Sequence, residues 1–236
     1  MINYKELEHS TFMRFKSEAD WLKAKEKTIG GSEVAALLNK SNWLTKDDIY
    51  NKMVYGKSKK VSENEKMSKG KKAEKHIRTL FTLDNPHYEV INQPTRGNWM
   101  FVRKDKPYIS CSPDGLFIEK KTKELWGLEI KYIDLIKNDD KELWENDTLP
   151  EHYLCQVLQY LIAMPELKGV ILYAHKKYYR FNEGEKVPTH THSEQYPYVV
   201  CRDDYLKEIA YIESKETDFY ENNVKLRRRP KTVIRF

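Results

Sequence analysis

The stretch that decides the fold is ELWGLEIKYI, residues 124–133. Leu128, Ile130 and Tyr132 alternate with Glu129 and Lys131, the period-two pattern of a strand with one apolar face. Side chains two apart on a strand share a face, about 6.5–7 Å apart along it. A carboxylate and an amine therefore reach into one space. Taken alone, this is also the wet face of an ordinary one-sided strand.

The preceding segment, ISCSPDGLFIEKK (109–121), adds a second acid. Pro113-Asp114-Gly115 is a good turn sequence, and the strand after it joins the first through 119–124. In an antiparallel pair turning between 121 and 122, Asp114 falls opposite Glu129. Facing carboxylates repel unless a cation joins them. Mg²⁺ suits such a pair, because it takes oxygen ligands and keeps several waters. Lys131 can then hold or help deprotonate a water. A third acid sits in MSKGKKAEKHIRTLF (67–81), where Met67, Gly70, Ala73, Ile77, Leu80 and Phe81 recur at helical spacing and Glu74 falls on the same stripe. A carboxylate on an apolar stripe is costly unless it is paired or on a metal. An ion pair with Arg78 or a lysine would also account for it.

The wider pattern predicts a helix over about 10–27, a glycine turn and helix in TIGGSEVAALL (28–38) with Ser32 near the N-cap, and a short helix over 46–55. The lysine-rich segment 56–72 reads as a polar surface stretch running into a helix, with Ser62 and Glu65 placed for a capping box. Strands follow near 88–93, 99–103, 109–111, 115–119 and 125–132. A helix then runs from Pro150 to about 164, strands cover 169–181 and YPYVVCR (196–202), and a last helix spans 203–223. His190 and His192 of HTHSE read as loop histidines, Trp99, Trp126 and Trp144 as core or base-stacking residues, and 137–147 as a charged arm. This order gives an α/β fold with a central mixed sheet flanked by helices. With no repeat and no Pro/Gly-rich linker, 1–236 reads as one domain.

At 236 residues with 39% apolar and 12% aromatic side chains, the chain can build a core. No apolar run approaches 18 residues, so no membrane contact is expected. The start, MINYKELEHS, has no basic-then-apolar leader, and Cys111, Cys155 and Cys201 have neither zinc nor disulfide spacing. A reduced cytoplasmic protein is expected. Of the net charge of +6, all lies in 225–236, KLRRRPKTVIRF; without its six cations the chain carries 36 basic and 36 acidic side chains. A basic tail on a neutral body suits a polyanion. TVIRF could equally pack as a last strand.

These residues resemble a known family. SPDG followed about fifteen residues later by GLEIK is similar to the PD-(D/E)xK nuclease motif. WLKAKEKTIGGSEVAALL, GKKAEKHIRTLF, HYLCQVLQYLIAM and YPYVVCRDDYLKEIAYI resemble, in order, the motifs of the phage lambda exonuclease and YqaJ-type viral recombinase nucleases, over roughly 20–220. The resemblance implies a restriction-endonuclease-like core and Mg²⁺-dependent phosphodiester hydrolysis, with Mn²⁺ as a substitute. By motif, Glu74, Asp114 and Glu129 with the carbonyl of Ile130 would face the metal, and Lys131 would position water. Gln156 would sit near the metal or scissile phosphate, and Lys25, Ser32, Ser112 and Tyr153 would meet DNA, the serines at its terminal 5′-phosphate. It also implies a ring-shaped homo-oligomer, often a trimer, and a single-strand-annealing partner.

Three departures mark this chain: lysine at 25 where the family often has arginine, Glu33 after GGS where aspartate is frequent, and Gln156-Val-Leu-Gln159-Tyr160 in place of Gln-x-Gln. The last resembles the Gln-x-x-x-Tyr pattern of RecB-type nuclease domains. The expected activity is a 5′→3′ exonuclease on double-stranded DNA ends that leaves 3′ overhangs and serves phage recombination. The alternatives are a structure-specific or restriction-type endonuclease, and a non-catalytic DNA-binding protein on the same fold.

Overall fold

A computed structural model describes residues 3–59, 65–92, 98–136, 138–144 and 148–231. Its centre is a five-stranded mixed sheet in the order β2-β5-β6-β7-β8. The strands are β2 (Tyr88–Asn92), β5 (Gly115–Glu119), β6 (Leu125–Leu135), β7 (Leu167–Arg180) and β8 (Thr189–Cys201). β6 and β7 run parallel and the other neighbours antiparallel. A second sheet, in the order β1-β3-β4, holds β1 (Ser10–Arg14), β3 (Trp99–Arg103) and β4 (Ser110–Cys111).

The two faces of the large sheet are covered differently, as strand alternation requires. Phe117, Leu128, Ile130, Ile171 and Tyr173 pack against Ile77 and Phe81 of α4 (Glu65–Asp84). The intervening Leu116, Ile118, Leu125, Val170, Leu172 and Ala174 face the main core. That core is completed by α2 (Gly31–Leu37), α3 (Lys46–Tyr55), α6 (Glu151–Ala163) and α7 (Leu206–Phe219). Glu129 shares the parity of this second set, so it points toward α6.

Several expectations are corrected. Residues 10–27 are not one helix: Ser10–Arg14 forms β1 against β3, and α1 spans only Glu18–Lys25. Ser17 ends the strand run by accepting the Asp20 N–H as N-cap. Ser32 does lie near the N-cap of α2, which is Gly30, and is exposed in the first turn. Leu80 lies off the buried stripe of α4 at 37% exposed. HTHSE is not a loop but the start of β8, where the His192 ring stacks on Tyr178 at 4.4 Å. Ser62 lies outside the described residues. Residues 138–143 form a short helix, α5, and the Trp144 that follows is buried, with its carbonyl accepting from Lys176 and Tyr198. Trp99 is fully buried too, and its indole N–H donates to Pro113 O at 2.6 Å, which fixes the turn ahead of Asp114.

Candidate active site

The large sheet forks at the site. β5 pairs with β6 only as far as Gly115 opposite Leu128, while β6 runs on to Leu135 with β7 alone. One step beyond that last rung, the register sets Asp114 opposite Glu129. β5 no longer offers a backbone acceptor there, and Asp114 supplies one: its Oδ2 accepts the Ile130 N–H at 2.8 Å. The Ile130 side chain is buried on the α4 side.

Glu129 is 3% exposed and lies in a net of donors. Its Oε1 accepts from Lys131 Nζ at 2.5 Å and Gln156 Nε2 at 2.6 Å, and its Oε2 accepts from Tyr160 Oη at 2.6 Å. Gln156 also donates to Tyr160 Oη at 2.9 Å, so residues one helical turn apart on α6 grip the carboxylate together. Gly31 permits the approach. A Cβ there would stand 2.6 Å from the Tyr160 ring and 3.2 Å from the Gln156 carbonyl oxygen.

Asp114 and Glu129 line an open cleft together with Gln156, Tyr160, Trp21, Lys25, Gly30, Gly31, Ser32, Ser110, Cys111 and Ser112. The Trp21 indole N–H donates to Ser112 Oγ at 3.2 Å, and Lys25 Nζ stands 4.5 Å from the centre of the Trp21 ring. Behind this wall, Lys52 Nζ donates to both Glu33 oxygens at 2.7 Å and to the Thr28 carbonyl at 2.6 Å. Glu33 Oε2 in turn accepts the Gly30 N–H at 2.9 Å. This buried pair holds the turn that enters α2.

Of the residues singled out by sequence, Lys25, Ser32, Ser112, Asp114, Glu129 and Gln156 share one cleft, and Lys131 joins them through Glu129. Tyr153 stands apart from the serines: its ring lies 5.1 Å from Lys131 Nζ and packs on Trp144. Glu74 is bonded to Arg78, the ion pair considered as the alternative, while still lying within electrostatic reach of Glu129 and Lys131. Sequence reasoning leaves out Trp21 and Lys52, neither of which carries a usable signal; it names Tyr160 by its i+4 spacing from Gln156, without the bond to Glu129.

The electrostatics are those of crowded acids. Burial raises the Asp114 carboxyl well above the ordinary aspartate range, and the charges of Glu129 and Glu74 push the same way. Burial also raises Glu74, against the pull of Arg78. Burial would lower Lys131, but Glu129, Tyr153 and Asp114 outweigh it and the ammonium is held more firmly than usual. Among the described residues, no three acids, histidines or cysteines form a ready-made metal cage. The donor chemistry nonetheless fits a hard divalent cation: the crowding of carboxylates that raises the proton affinity of Asp114 is what such an ion relieves.

Among solved structures, the chain is similar to an alkaline exonuclease from Laribacter hongkongensis, with a TM-score of 0.58 and 19% identity over 89% of this chain and 96% of that one. The same enzyme in complex with dAMP matches with a TM-score of 0.54 and 18% identity over the same shares. These likenesses establish the restriction-endonuclease-like fold. No curated protein matches the chain significantly. Residues 20–164, which contain every cleft residue named above, match the model of the YqaJ-like viral recombinase domain, and the chain belongs to that family.

Proposed function

We propose that the chain is a Mg²⁺-dependent deoxyribonuclease that degrades duplex DNA 5′→3′ from its ends and leaves 3′ single-stranded overhangs. The observation that carries this reading is the union of two groups in one cleft. Asp114 and Glu129, with Lys131 on Glu129, stand on one side, and Ser32, Ser112 and Lys25 on the other. The acids suit the metal and the reacting phosphate. The hydroxyls and ammonium suit a terminal phosphate dianion.

Glu74, Asp114, Glu129 and the main chain at Ile130 would hold the ion, with Mn²⁺ able to replace Mg²⁺. A bound divalent cation supplies positive charge at the scissile phosphate and makes water more acidic. The chain's own residues do the rest. Lys131 hydrogen-bonds the attacking water and offsets developing charge. Gln156 and Tyr160 keep Glu129 oriented. Ser32, Ser112 and Lys25 hold the 5′-phosphate and so set which bond is presented. A ring of identical subunits, a trimer on the family pattern, would retain the duplex between cuts, and a single-strand-annealing protein would take the 3′ overhang.

The joint grip of Gln156 and Tyr160 on Glu129 favours a second reading, an endonuclease of RecB-like type. Linear and closed-circular duplexes incubated with Mg²⁺, with and without chelator, decide between them. Loss of linear DNA alone, from 5′ ends, supports the exonuclease. Cutting of circles supports the endonuclease, and no hydrolysis with either metal rejects both.

A further inference from the structure

Gln159 and Glu216 lie fully buried between α6 and α7, at 0% exposure each. The Gln159 Nε2 hydrogens are both used: one goes to the Ile29 carbonyl at 3.1 Å and one to Glu216 Oε1 at 2.7 Å. The amide oxygen Gln159 Oε1 and the second carboxyl oxygen Glu216 Oε2 are buried without a hydrogen-bond partner among the described residues. Flipping the Gln159 amide would aim its oxygen at two acceptors, so the assignment stands. Two orphan acceptors on one joined pair lack a single hydrogen.

We propose that Glu216 is a neutral carboxylic acid whose Oε2–H donates to Gln159 Oε1, closing a cyclic acid–amide pair that positions Ile29 and thereby the Gly30–Ser32 wall of the cleft. A neutral acid satisfies both orphans with one proton, whereas a carboxylate satisfies neither. The link to the cleft is short. Gln159 grips the Ile29 carbonyl, Ile29 N–H donates to Tyr108 O, and Gly30, Gly31 and Ser32 follow directly.

The surroundings supply little to hold an ionised group. On its own helix Glu216 has Glu213, which is taken up by Arg103 of β3 at 3.1 Å and Lys106 at 2.6 Å. The one charged side chain of α2, Glu33, is tied to Lys52. α6 offers the neutral Gln159. In the turns flanking α7, Asp203 pairs with Lys168 and Glu221 with Lys225, while Arg202 is spent on the carbonyls of Leu161, Met164 and Leu167. Burial accordingly raises the Glu216 carboxyl well above its usual range. The sign follows: the unfolded carboxyl ionises near 4.5 and the folded one far higher, so folded stability falls as pH rises above 4.5.

Two arms of the test, on the full chain without metal, are independent of the nuclease reading. Difference infrared spectra of wild type against Glu216→Gln at neutral pH should show one protonated-carboxyl band lost in the variant. The folded-to-unfolded ratio of wild type relative to Glu216→Gln, from denaturant titrations between pH 5 and 8, should fall as pH rises, by at most about tenfold per pH unit. A missing band with a flat ratio means an ionised, water-bridged Glu216 and overturns the proposal. The third arm rests on the proposed activity. Glu216→Ala should raise KM for 5′-phosphorylated duplex ends severalfold with kcat nearly kept, and Glu216→Gln, which can close the same pair, should restore KM. An unchanged KM in Glu216→Ala overturns the positioning role even if the band is found. An inactive wild type that shows the band would refute the nuclease reading and leave the acid–amide pair standing.

Discussion

Gly31→Ala is the sharpest probe of the site geometry, because the structure sets its sign against the usual rule. Alanine in place of a helical glycine ordinarily stabilises, by up to about 1 kcal/mol. Here the new methyl would stand 2.6 Å from Tyr160 Cε1 and 3.0 Å from Gln156 Cγ. Carbon atoms rest at about 3.5–4.0 Å, so one partner must move by roughly 1 Å. Overpacking of this kind costs about 1–3 kcal/mol. Shifting Tyr160 also breaks its 2.6 Å bond to Glu129, a charge-assisted bond worth about 1.5–3 kcal/mol. Against the propensity gain, a net loss of about 3 kcal/mol is expected, or about 6–12 °C in Tm for a chain of this size. Gly70→Ala is the internal control: a Cβ there meets nothing within 4 Å, and α4 should gain stability by the ordinary rule. Urea unfolding followed by circular dichroism compares the two. A Gly31→Ala protein as stable as Gly70→Ala, with wild-type nuclease activity, would refute the close-approach argument.

Four further outcomes are expected. Lys131→Ala should leave folding and Mg²⁺ affinity near wild type and lower kcat by orders of magnitude, and an active variant removes Lys131 from the chemistry. Without metal, Asp114→Asn should be more stable than wild type at pH 7 and equal to it near pH 4, because the raised Asp114 carboxyl loses stability as pH climbs past 3.8; added Mg²⁺ should favour wild type, and matched pH curves would show Asp114 unperturbed. Duplex ends with a 5′-phosphate should be degraded faster than 5′-hydroxyl ends, and equal rates at low salt would reject the Ser32–Ser112–Lys25 pocket. Deleting 225–236 should flatten the log affinity–log salt slope by about 0.9 for each phosphate the tail neutralises, yet it also removes the Arg229–Asp47 pair (2.5 and 2.7 Å). The point variants Arg227→Ala and Arg228→Ala isolate the DNA contribution; an unchanged slope in both would place the tail away from DNA.

What can be read from sequence is local. The register that faces Asp114 with Glu129 follows from one hairpin and its turn residues. The alternation in β6 and the α4 positions Ile77 and Phe81 follow from period alone. Ser10–Arg14 escapes such a reading because a short edge strand carries no signal of its partner β3, some ninety residues later. His190 and His192 escape it because an arm wet on both sides shows no apolar alternation, and only the ladder to β7 makes it a strand. Lys52 and Glu216 are invisible because each owes its role to a residue on a different helix.

The fork in the large sheet also orders the folding of the site. The acids belong to a hairpin closed by a short turn, whereas the grip on Glu129 needs Gly31 of α2 to meet Tyr160 of α6 across most of the chain. Loop-closure entropy makes the first contact fast and the second slow. During synthesis, the acid pair would stand complete while α6 is still unmade, and the competent cleft would arrive last. Pulsed hydrogen exchange during refolding should protect the β5–β6 amides before those of α2, and simultaneous protection would contradict this order.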